Sequence, residues 1–307
     1  MKYPTTRRDF LKSSLGAGLA FGGLGLLAPQ SARAIQPIQR KGTSHFKLSL
    51  VGYSLRRYFN EKDSAKKITL FDFVDFCADH GFPAAEMTGY YFPKPLTDEF
   101  LNDLKKYLYL RGVNASGTSL GANFSPTDKA KLREQIDSVK KWVDVAVALG
   151  APYIRVFAGK AKDKDVTLAD AQKQCIESIQ ECAEYAGTKG VFIGLENDQG
   201  ITMNAGQTLA LLHGVKSPWF GLNLDLGNFK VPDPYADVAQ CAPYAINVHC
   251  KVNTLPTGKP PESADYNRQF KILRDVDYQG YIALEYEAEP DPYTAVPQIR
   301  EKMLAAF

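Results

Sequence analysis

The chain has 307 residues, of which 45% are hydrophobic and 23% charged, and this length favours one large α/β domain over two small ones. Its formal net charge is +3, but residues 1–34 carry five basic side chains against one acidic one, so residues 35–307 have a net charge of about −1. That balance argues against a nucleic-acid-binding protein, which would carry a basic excess.

The first 34 residues form a predicted targeting segment. Residues 6–12, TRRDFLK, match the twin-arginine pattern, an apolar run rich in Gly, Ala and Leu follows at 15–28, and residues 32–34, ARA, form a small-x-small cleavage site. The alternative is a retained membrane anchor, but the run is too short and too rich in glycine to span a bilayer comfortably. We therefore expect a twin-arginine signal peptide that engages the twin-arginine export machinery and is removed. The product would be a periplasmic or otherwise exported protein without a stable membrane anchor.

Strand and helix patterns alternate along the rest of the chain, after a polar lead-in at residues 35–45. Short apolar or β-branched runs predict strands, and apolar residues at helical spacing next to capping residues predict helices. The predicted strands are 46–53, 82–87, 113–118, 152–157, 191–198, 221–225, 244–249 and 280–285. The predicted helices are 69–80, 97–111, 129–149, 168–188, 205–212, 235–241, 266–275 and 293–306.

Eight alternations within residues 46–307 have the size and order of a single α/β domain, a (β/α)₈ TIM barrel. The alternative is a doubly wound open sheet. The dinucleotide-binding version of that sheet is disfavoured because no GxGxxG turn follows the first strand.

Four of the predicted strands end on a residue type that ligates metal ions. Glu196 lies near the carboxyl end of the fifth strand, and Asp225, His249 and Glu285 end the sixth to eighth. The carboxyl ends of barrel strands meet at the active site. Two Glu, one Asp and one His form a hard, oxygen-rich donor set suited to one divalent ion, Mn²⁺, Co²⁺, Zn²⁺ or Mg²⁺. The sequence therefore predicts a metal centre at this end of the barrel.

Four segments carry a family resemblance: GLEN at 194–197, LNLDLGNF at 222–229, VHCK at 248–251 and GYIALEYE at 280–287. In this order and at barrel spacing they resemble the sugar phosphate isomerase/epimerase family of xylose isomerase-like barrels. Tagatose 3-epimerases, hydroxypyruvate isomerases and inosose dehydratases belong to that family. The resemblance implies that the four strand-end residues hold one metal ion, and that Glu196 and Glu285 double as an acid–base pair.

Four further residues are predicted to bind the substrate. The resemblance implies this role for Lys251 and Arg155, which match substrate-contacting positions of family members. Arg155 also lies inside an apolar strand, where an unpaired charge is costly, so we expect it to pair with a site carboxylate or to face the ligand. Glu86, near the end of the second strand, and Asn228, which stands where many relatives have histidine, complete this set.

Three classes of function fit these patterns. The first, which the residues favour, is a metal-dependent enzyme acting on a sugar or a cyclitol. The second is a DNA-cleaving barrel of the endonuclease IV type, which needs three zinc ions and many histidines, whereas only one of the four histidines here falls at a strand end. The third is an exported sugar-binding barrel without catalysis, which the intact ligand set disfavours.

The predicted reaction is isomerisation or epimerisation through an enediolate, with one Glu removing a proton next to a carbonyl and the other returning it. If the same intermediate expelled a leaving group, the enzyme would be a lyase or dehydratase acting on a 3-keto-glycoside or an inosose. Because phosphosugars are scarce outside the cytoplasm, we expect an unphosphorylated sugar, keto-sugar or cyclitol as the small-molecule substrate. No sequence pattern predicts the oligomeric state.

Overall fold

The structure, a computed structural model, describes residues 35–160 and 166–307. The predicted signal peptide lies outside these residues, so its assignment and the boundary at residue 34 stay predictions. Within the described chain, parallel strands alternate with helices from His45 to the end of the final helix at Ala306.

The barrel strands are β1 (His45–Val51), β2 (Ala84–Thr88), β3 (Asn114–Ser119), β4 (Tyr153–Phe157), β5 (Phe192–Glu196), β6 (Phe220–Asp225), β7 (Ala245–Cys250) and β8 (Gln279–Leu284). Each strand is followed by a helix of the same number: α1 (Leu70–Asp79), α2 (Asp98–Leu110), α3 (Lys129–Leu149), α4 (Leu168–Lys189), α5 (Ala205–Gly214), α6 (Pro234–Cys241), α7 (Tyr266–Arg274) and α8 (Pro292–Ala306). The strands close in the order β1–β8–β7–β6–β5–β4–β3–β2. The predicted (β/α)₈ barrel is confirmed, and the open doubly wound sheet is wrong.

Local sequence sets the helix ends. Thr69 begins α1 with a reciprocal capping box, in which its hydroxyl accepts from the Asp72 N–H and the Asp72 carboxylate accepts from the Thr69 N–H. Thr97 caps α2, as predicted. Gly150 ends α3 in the left-handed conformation, with φ of 77°, which glycine adopts without steric cost.

Several short elements of the described chain were not predicted, among them two that follow barrel strands. A one-turn helix, Arg56–Phe59, occupies the connection after β1, and Asn253–Thr254 pairs with Glu262–Ser263 in a small antiparallel ladder after β7. Both are too short to produce a periodic pattern in the sequence. Both lie in connections that leave the carboxyl ends of strands, which is the end that carries the predicted site.

The five cysteines (Cys77, Cys175, Cys182, Cys241 and Cys250) are buried free thiols, as their scattered spacing predicts. Among residues 35–160 and 166–307, no helix combines the length and the apolar character needed to cross a membrane.

A glycine in β3 makes room for a large ring inside the barrel. A Cβ added to Gly117 would meet Cε1 of Tyr153 at 2.0 Å and its Cδ1 at 2.6 Å. The Tyr153 ring cannot easily move aside, because its hydroxyl donates to Glu86 and accepts from Asn247 in the buried interior. Gly117 is therefore required by the close approach of Tyr153.

We expect the Gly117→Ala variant to lower the free energy of unfolding by about 1–3 kcal/mol, because the added methyl overpacks a filled site. Urea unfolding followed by circular dichroism would measure the change. Gly206→Ala is the matched control, because a Cβ there meets nothing nearer than Asn204 Oδ1 at 3.4 Å. Equal stability of the two variants would contradict this account of the interior.

Candidate active site

The four predicted metal ligands converge at the carboxyl end of the barrel. Glu196 and Asp225 are the last residues of β5 and β6, His249 is the penultimate residue of β7, and Glu285 directly follows β8. All four side chains are buried, and one potential donor atom from each lies within 4.8 Å of the others. The backbone register helps to bring two of them together, because Asp225 is paired with His249 across the neighbouring strands β6 and β7.

The carboxylate of Asp225 is held by its neighbours so that one oxygen accepts no hydrogen bond and has only the ammonium group of Lys251 nearby, at 3.4 Å. The Asn197 side chain donates to the Asp225 carbonyl at 2.9 Å and accepts from its N–H at 2.8 Å, which fixes the backbone. The Gly227 N–H donates to Asp225 Oδ1 at 2.8 Å. Asp225 Oδ2 then remains buried with no hydrogen-bond partner.

The two imidazole nitrogens of His249 contact different residues. Its Nε2 lies 2.8 Å from Glu86 Oε2, on the inner side of the cluster. Its Nδ1 lies 3.3 Å from Glu196 Oε1 and 3.9 Å from Glu285 Oε2, and it has no hydrogen bond.

The donor atoms fit a divalent metal ion. Three of them, Glu196 Oε2, Asp225 Oδ2 and His249 Nδ1, are buried and accept no well-aligned hydrogen bond. The first two have only an ion-pair neighbour, Arg155 Nε at 2.8 Å and Lys251 Nζ at 3.4 Å. Buried polar atoms are rarely left in this state unless an unseen ion or water satisfies them. Carboxylate oxygens and an imidazole nitrogen are ordinary ligands of Zn²⁺ and similar ions, and bonds of about 2.0–2.2 Å would bring them together around one centre.

The charges of the cluster also call for a dication. Every Asp, Glu, Lys and Arg side chain that is buried in the described chain lies here: Glu86, Arg155, Glu196, Asp225, Lys251 and Glu285. Four ionised carboxylates against two permanent cations leave a net charge of about −2 before His249 is counted. A buried charge is costly unless it is compensated, so a divalent cation would balance the site.

Without that cation, the ionisable groups of the cluster shift their pKa values. Burial, reinforced by Glu196 and Glu285, raises the pKa of Asp225 to about 8 against the opposing effect of Lys251. Burial opposes a charged imidazole, but Glu86 and Glu196 outweigh it and raise the pKa of His249 well above its ordinary value. Burial likewise opposes ionisation of Glu285, but Lys251 and His249 lower its pKa to about 2. Both the Asp225 and the His249 shift favour the protonated form, which lessens the negative charge of the cluster.

A cavity of about 690 Å³ opens above the cluster. Of the predicted site residues, Arg155, Glu196, Asn228, Lys251 and Glu285 line it. Asp225 and His249 are fully buried among the residues that line the cavity. The aromatic side chains of Tyr53, Tyr90 and Phe157 form part of the wall.

Two cations of the cavity pair with the carboxylates of the cluster. Arg155 Nε lies 2.8 Å from Glu196 Oε2, its guanidinium carbon lies 4.0 Å from the centroid of the Phe157 ring, and its Nη1 is buried with no hydrogen bond. The expected pairing of Arg155 is therefore present. Lys251 Nζ lies 2.5 Å from Glu285 Oε2, 2.9 Å from Glu287 Oε2 and 3.4 Å from Asp225 Oδ2.

Glu86 does not line the cavity. It is fully buried in the barrel interior, where its Oε2 meets His249 and Tyr153. A residue that binds the substrate would face the cavity. The structure places Glu86 outside the cavity wall and in contact with His249.

Among the residues of the site that were not predicted are Asn197, Tyr153 and Glu287. Asn197 follows Glu196 directly, and its position in the GLEN segment was the available signal. Glu287 follows Glu285 by two residues, so strand alternation would place the two on one side. No sequence signal pointed to Tyr153, because an aromatic residue in an apolar strand is expected to be a packed core residue.

Comparisons with known proteins identify the chain's relatives. The family described as "Xylose isomerase-like TIM barrel" matches residues 74–305. The inosose isomerase of Halalkalibacterium halodurans is 23% identical over 175 residues, which cover 56% of this chain and 62% of that protein. The L-ribulose 3-epimerase of a Methylomonas species is 26% identical over 194 residues, which cover 60% of this chain and 66% of that protein. The matched region is thus just under two thirds of each relative's length.

A solved structure shares the fold. The IolI protein, crystallised with a bound zinc atom, superposes with a TM-score of 0.70 at 18% identity, over 84% of this chain and 96% of that one. At this identity the likeness establishes the shared barrel alone.

Proposed function

The chain belongs to the xylose isomerase-like TIM barrel family, and on that premise we propose that it is a divalent-metal-dependent isomerase or epimerase. Its substrate would be an unphosphorylated sugar, keto-sugar or cyclitol. The observation that carries the proposal is the buried cluster of Glu196, Asp225, His249 and Glu285 beneath an open cavity. The names of the relatives, an inosose isomerase and an L-ribulose 3-epimerase, support the substrate class.

The four cluster residues would hold one ion, Mn²⁺, Co²⁺, Zn²⁺ or Mg²⁺. When bound, such an ion polarises a carbonyl and a neighbouring hydroxyl of the substrate and so lowers the pKa of the C–H bond between them. The zinc in the IolI structure is consistent with a donor set of this kind in the same fold.

The chain's own residues would carry the proton transfers. Glu196 ends β5 and Glu285 directly follows β8, and β6 and β7 separate these two strands in the barrel, so the two carboxylates reach the cavity from different sides. One would remove the proton to give an enediolate, and the other would return a proton to the opposite face, which inverts that carbon. Return of the proton to the neighbouring carbon would give isomerisation instead.

Two cations would orient the substrate. Arg155 has an unpaired, buried Nη1 at the cavity wall, and Lys251 has its Nζ beside Glu285. Arg155 Nη1 can donate a hydrogen bond to a substrate oxygen without breaking one inside the protein. Lys251 Nζ, which already donates to Glu285 and Glu287, would offer its third N–H. Asn228 lines the same cavity and offers an amide for a substrate hydroxyl.

A second candidate reaction uses the same residues. If a leaving group lay next to the carbanion, the enediolate would expel it, and the enzyme would be a lyase or dehydratase acting on a 3-keto-glycoside or an inosose. The cavity supports the 3-keto-glycoside as a substrate, because about 690 Å³ lies in the range that holds drug-sized ligands and leaves room beyond one sugar ring.

Solvent-deuterium exchange tests the proposal. The purified protein, supplied with each of the four metal ions, is incubated in D₂O with a panel of ketoses, inososes and 3-keto-glycosides, and the substrates are followed by proton NMR. Deuterium incorporation next to a carbonyl, with formation of an epimer, isomer or elimination product, would support the enzyme. Ligand binding without exchange would favour a sugar-binding barrel, and turnover of phosphorylated ketoses alone would contradict the substrate class.

We also propose export by the twin-arginine route, which the TRRDFLK segment supports. The double variant Arg7→Lys/Arg8→Lys should stay in the cytoplasm, because the machinery reads the arginine pair. Cell fractionation and blotting of parent and variant would measure this. Equal distribution of the two proteins between periplasm and cytoplasm would contradict the proposed route.

A further inference from the structure

The side chain of Glu86 lies below the cavity and against the cluster. It projects from β2 into the barrel interior, where it is fully buried and does not line the cavity. A buried carboxylate at such a place is costly unless donors compensate its charge. Its donors therefore indicate its role.

Two donors converge on one oxygen of Glu86. The Tyr153 hydroxyl donates to Oε2, and His249 Nε2 lies 2.8 Å from the same atom. The Tyr153 hydroxyl accepts from Asn247 Nδ2 at 2.6 Å, and that amide also donates to Asn223 Oδ1 at 2.7 Å. The carboxylate is thus fixed by a network that enters from β4, β6 and β7.

The contact with Glu86 determines which nitrogen of His249 carries a proton. A carboxylate accepts hydrogen bonds, so the imidazole must place its N–H on Nε2. In the neutral imidazole Nδ1 then holds the lone pair, and Nδ1 is the atom that faces Glu196 and Glu285 without a hydrogen bond. Only this tautomer offers a ligand atom to an ion in the cluster.

We propose that Glu86, supported by Tyr153, is a positioning residue that holds His249 in the tautomer whose Nδ1 can ligate the metal ion. This inference rests on the metal centre of the proposed function, but not on the identity of the substrate or on catalysis. It gives Glu86 a role in metal affinity instead of substrate binding.

Zinc affinity, measured by competition with a chromogenic chelator, tests the role of Glu86. We expect Glu86→Gln to weaken zinc binding about 10–100-fold, the usual effect of losing a carboxylate partner of a metal-bound histidine. Tyr153→Phe, which keeps Glu86 but removes its second donor, should weaken binding less. Ser49→Ala is the matched control, because it removes another buried hydrogen bond of the barrel, 2.6 Å long to Ser116 Oγ, in which neither Glu86 nor His249 takes part. Its zinc affinity should equal that of the parent.

Nitrogen NMR of the zinc-loaded parent, labelled with ¹⁵N-histidine, shows directly which nitrogen of His249 carries the proton. A merely structural role of Glu86 predicts nothing about that position. We expect the His249 proton on Nε2, seen as one-bond coupling, and none on Nδ1. A proton on Nδ1, or parent-like zinc affinity in both Glu86→Gln and Tyr153→Phe, would overturn the inference.

The two proposals fail in different ways. A parent that binds zinc with this tautomer but exchanges no substrate proton would overturn the proposed reaction and support the inference. A parent that binds no divalent ion would overturn both. If Glu86→Gln does not fold, Tyr153→Phe and the spectrum of the parent still decide the matter.

Discussion

The Glu196→Gln and Glu285→Gln variants are expected to lose solvent-deuterium exchange by about 10²–10⁴-fold, the usual contribution of a positioned acid or base. Glutamine keeps the size of the side chain and one carbonyl oxygen, but it cannot take up the substrate proton. The loss should fall mainly on kcat, because the cavity and its two cations remain. Proton NMR in D₂O, with metal content measured on the same samples, would check the effect.

The two carboxylates also predict that the Glu196→Gln and Glu285→Gln variants differ in which epimer they fail to exchange. If each Glu serves one face of the substrate carbon, one variant should fail with one epimer and the second variant with the other. Glu262→Gln, a carboxylate-to-amide change at an exposed position of the short ladder after β7, is the control and should exchange as the parent does. Parent-like exchange in both cluster variants would contradict their roles as acid and base.

The Asp225→Asn variant is expected to lose metal affinity by at least the 10–100-fold that partners of metal ligands contribute. Asparagine can keep the oxygen that accepts from the Gly227 N–H at 2.8 Å. It replaces Oδ2, which is buried and accepts no hydrogen bond, by an amide nitrogen that has no lone pair to offer. The backbone should stay in place, because Asn197 holds it through two hydrogen bonds.

Chelator competition with Zn²⁺ and Mn²⁺ would measure this loss. Asp233→Asn is the matched control, since Asp233 caps α6 at an exposed position and asparagine caps helices equally well. The control should bind metal as the parent does. An Asp225→Asn variant with the affinity of the control would mean that Asp225 is not a ligand.

The sequence predicted the barrel because each strand and helix has its own local signal. Apolar runs end on Glu196, Asp225 and Glu285, and capping residues such as Thr69 and Thr97 mark helix starts. The convergence of the strand-end residues then follows from the parallel barrel, in which all carboxyl ends lie at one face. These predictions needed no knowledge of side-chain packing.

The position of Glu86 could not be predicted in the same way. Like the cluster residues, Glu86 lies near the end of its strand. It nevertheless contacts Nε2 of His249 instead of lining the cavity. The height of a side chain along a barrel depends on the stagger between strands. That stagger includes a register shift between Ala85 and Glu86 in the pairing of β2 with β3. The partnership with Tyr153 depends on the same closure of the barrel.

The most direct test of the central claim is elemental analysis of the purified protein beside a His249→Ala variant prepared in parallel. Our account predicts close to one equivalent of Mn, Co, Zn or Mg in the parent and its loss in the variant. Absence of any divalent metal from both proteins, even after reconstitution with each ion, would contradict the metal centre and with it the proposed enediolate chemistry.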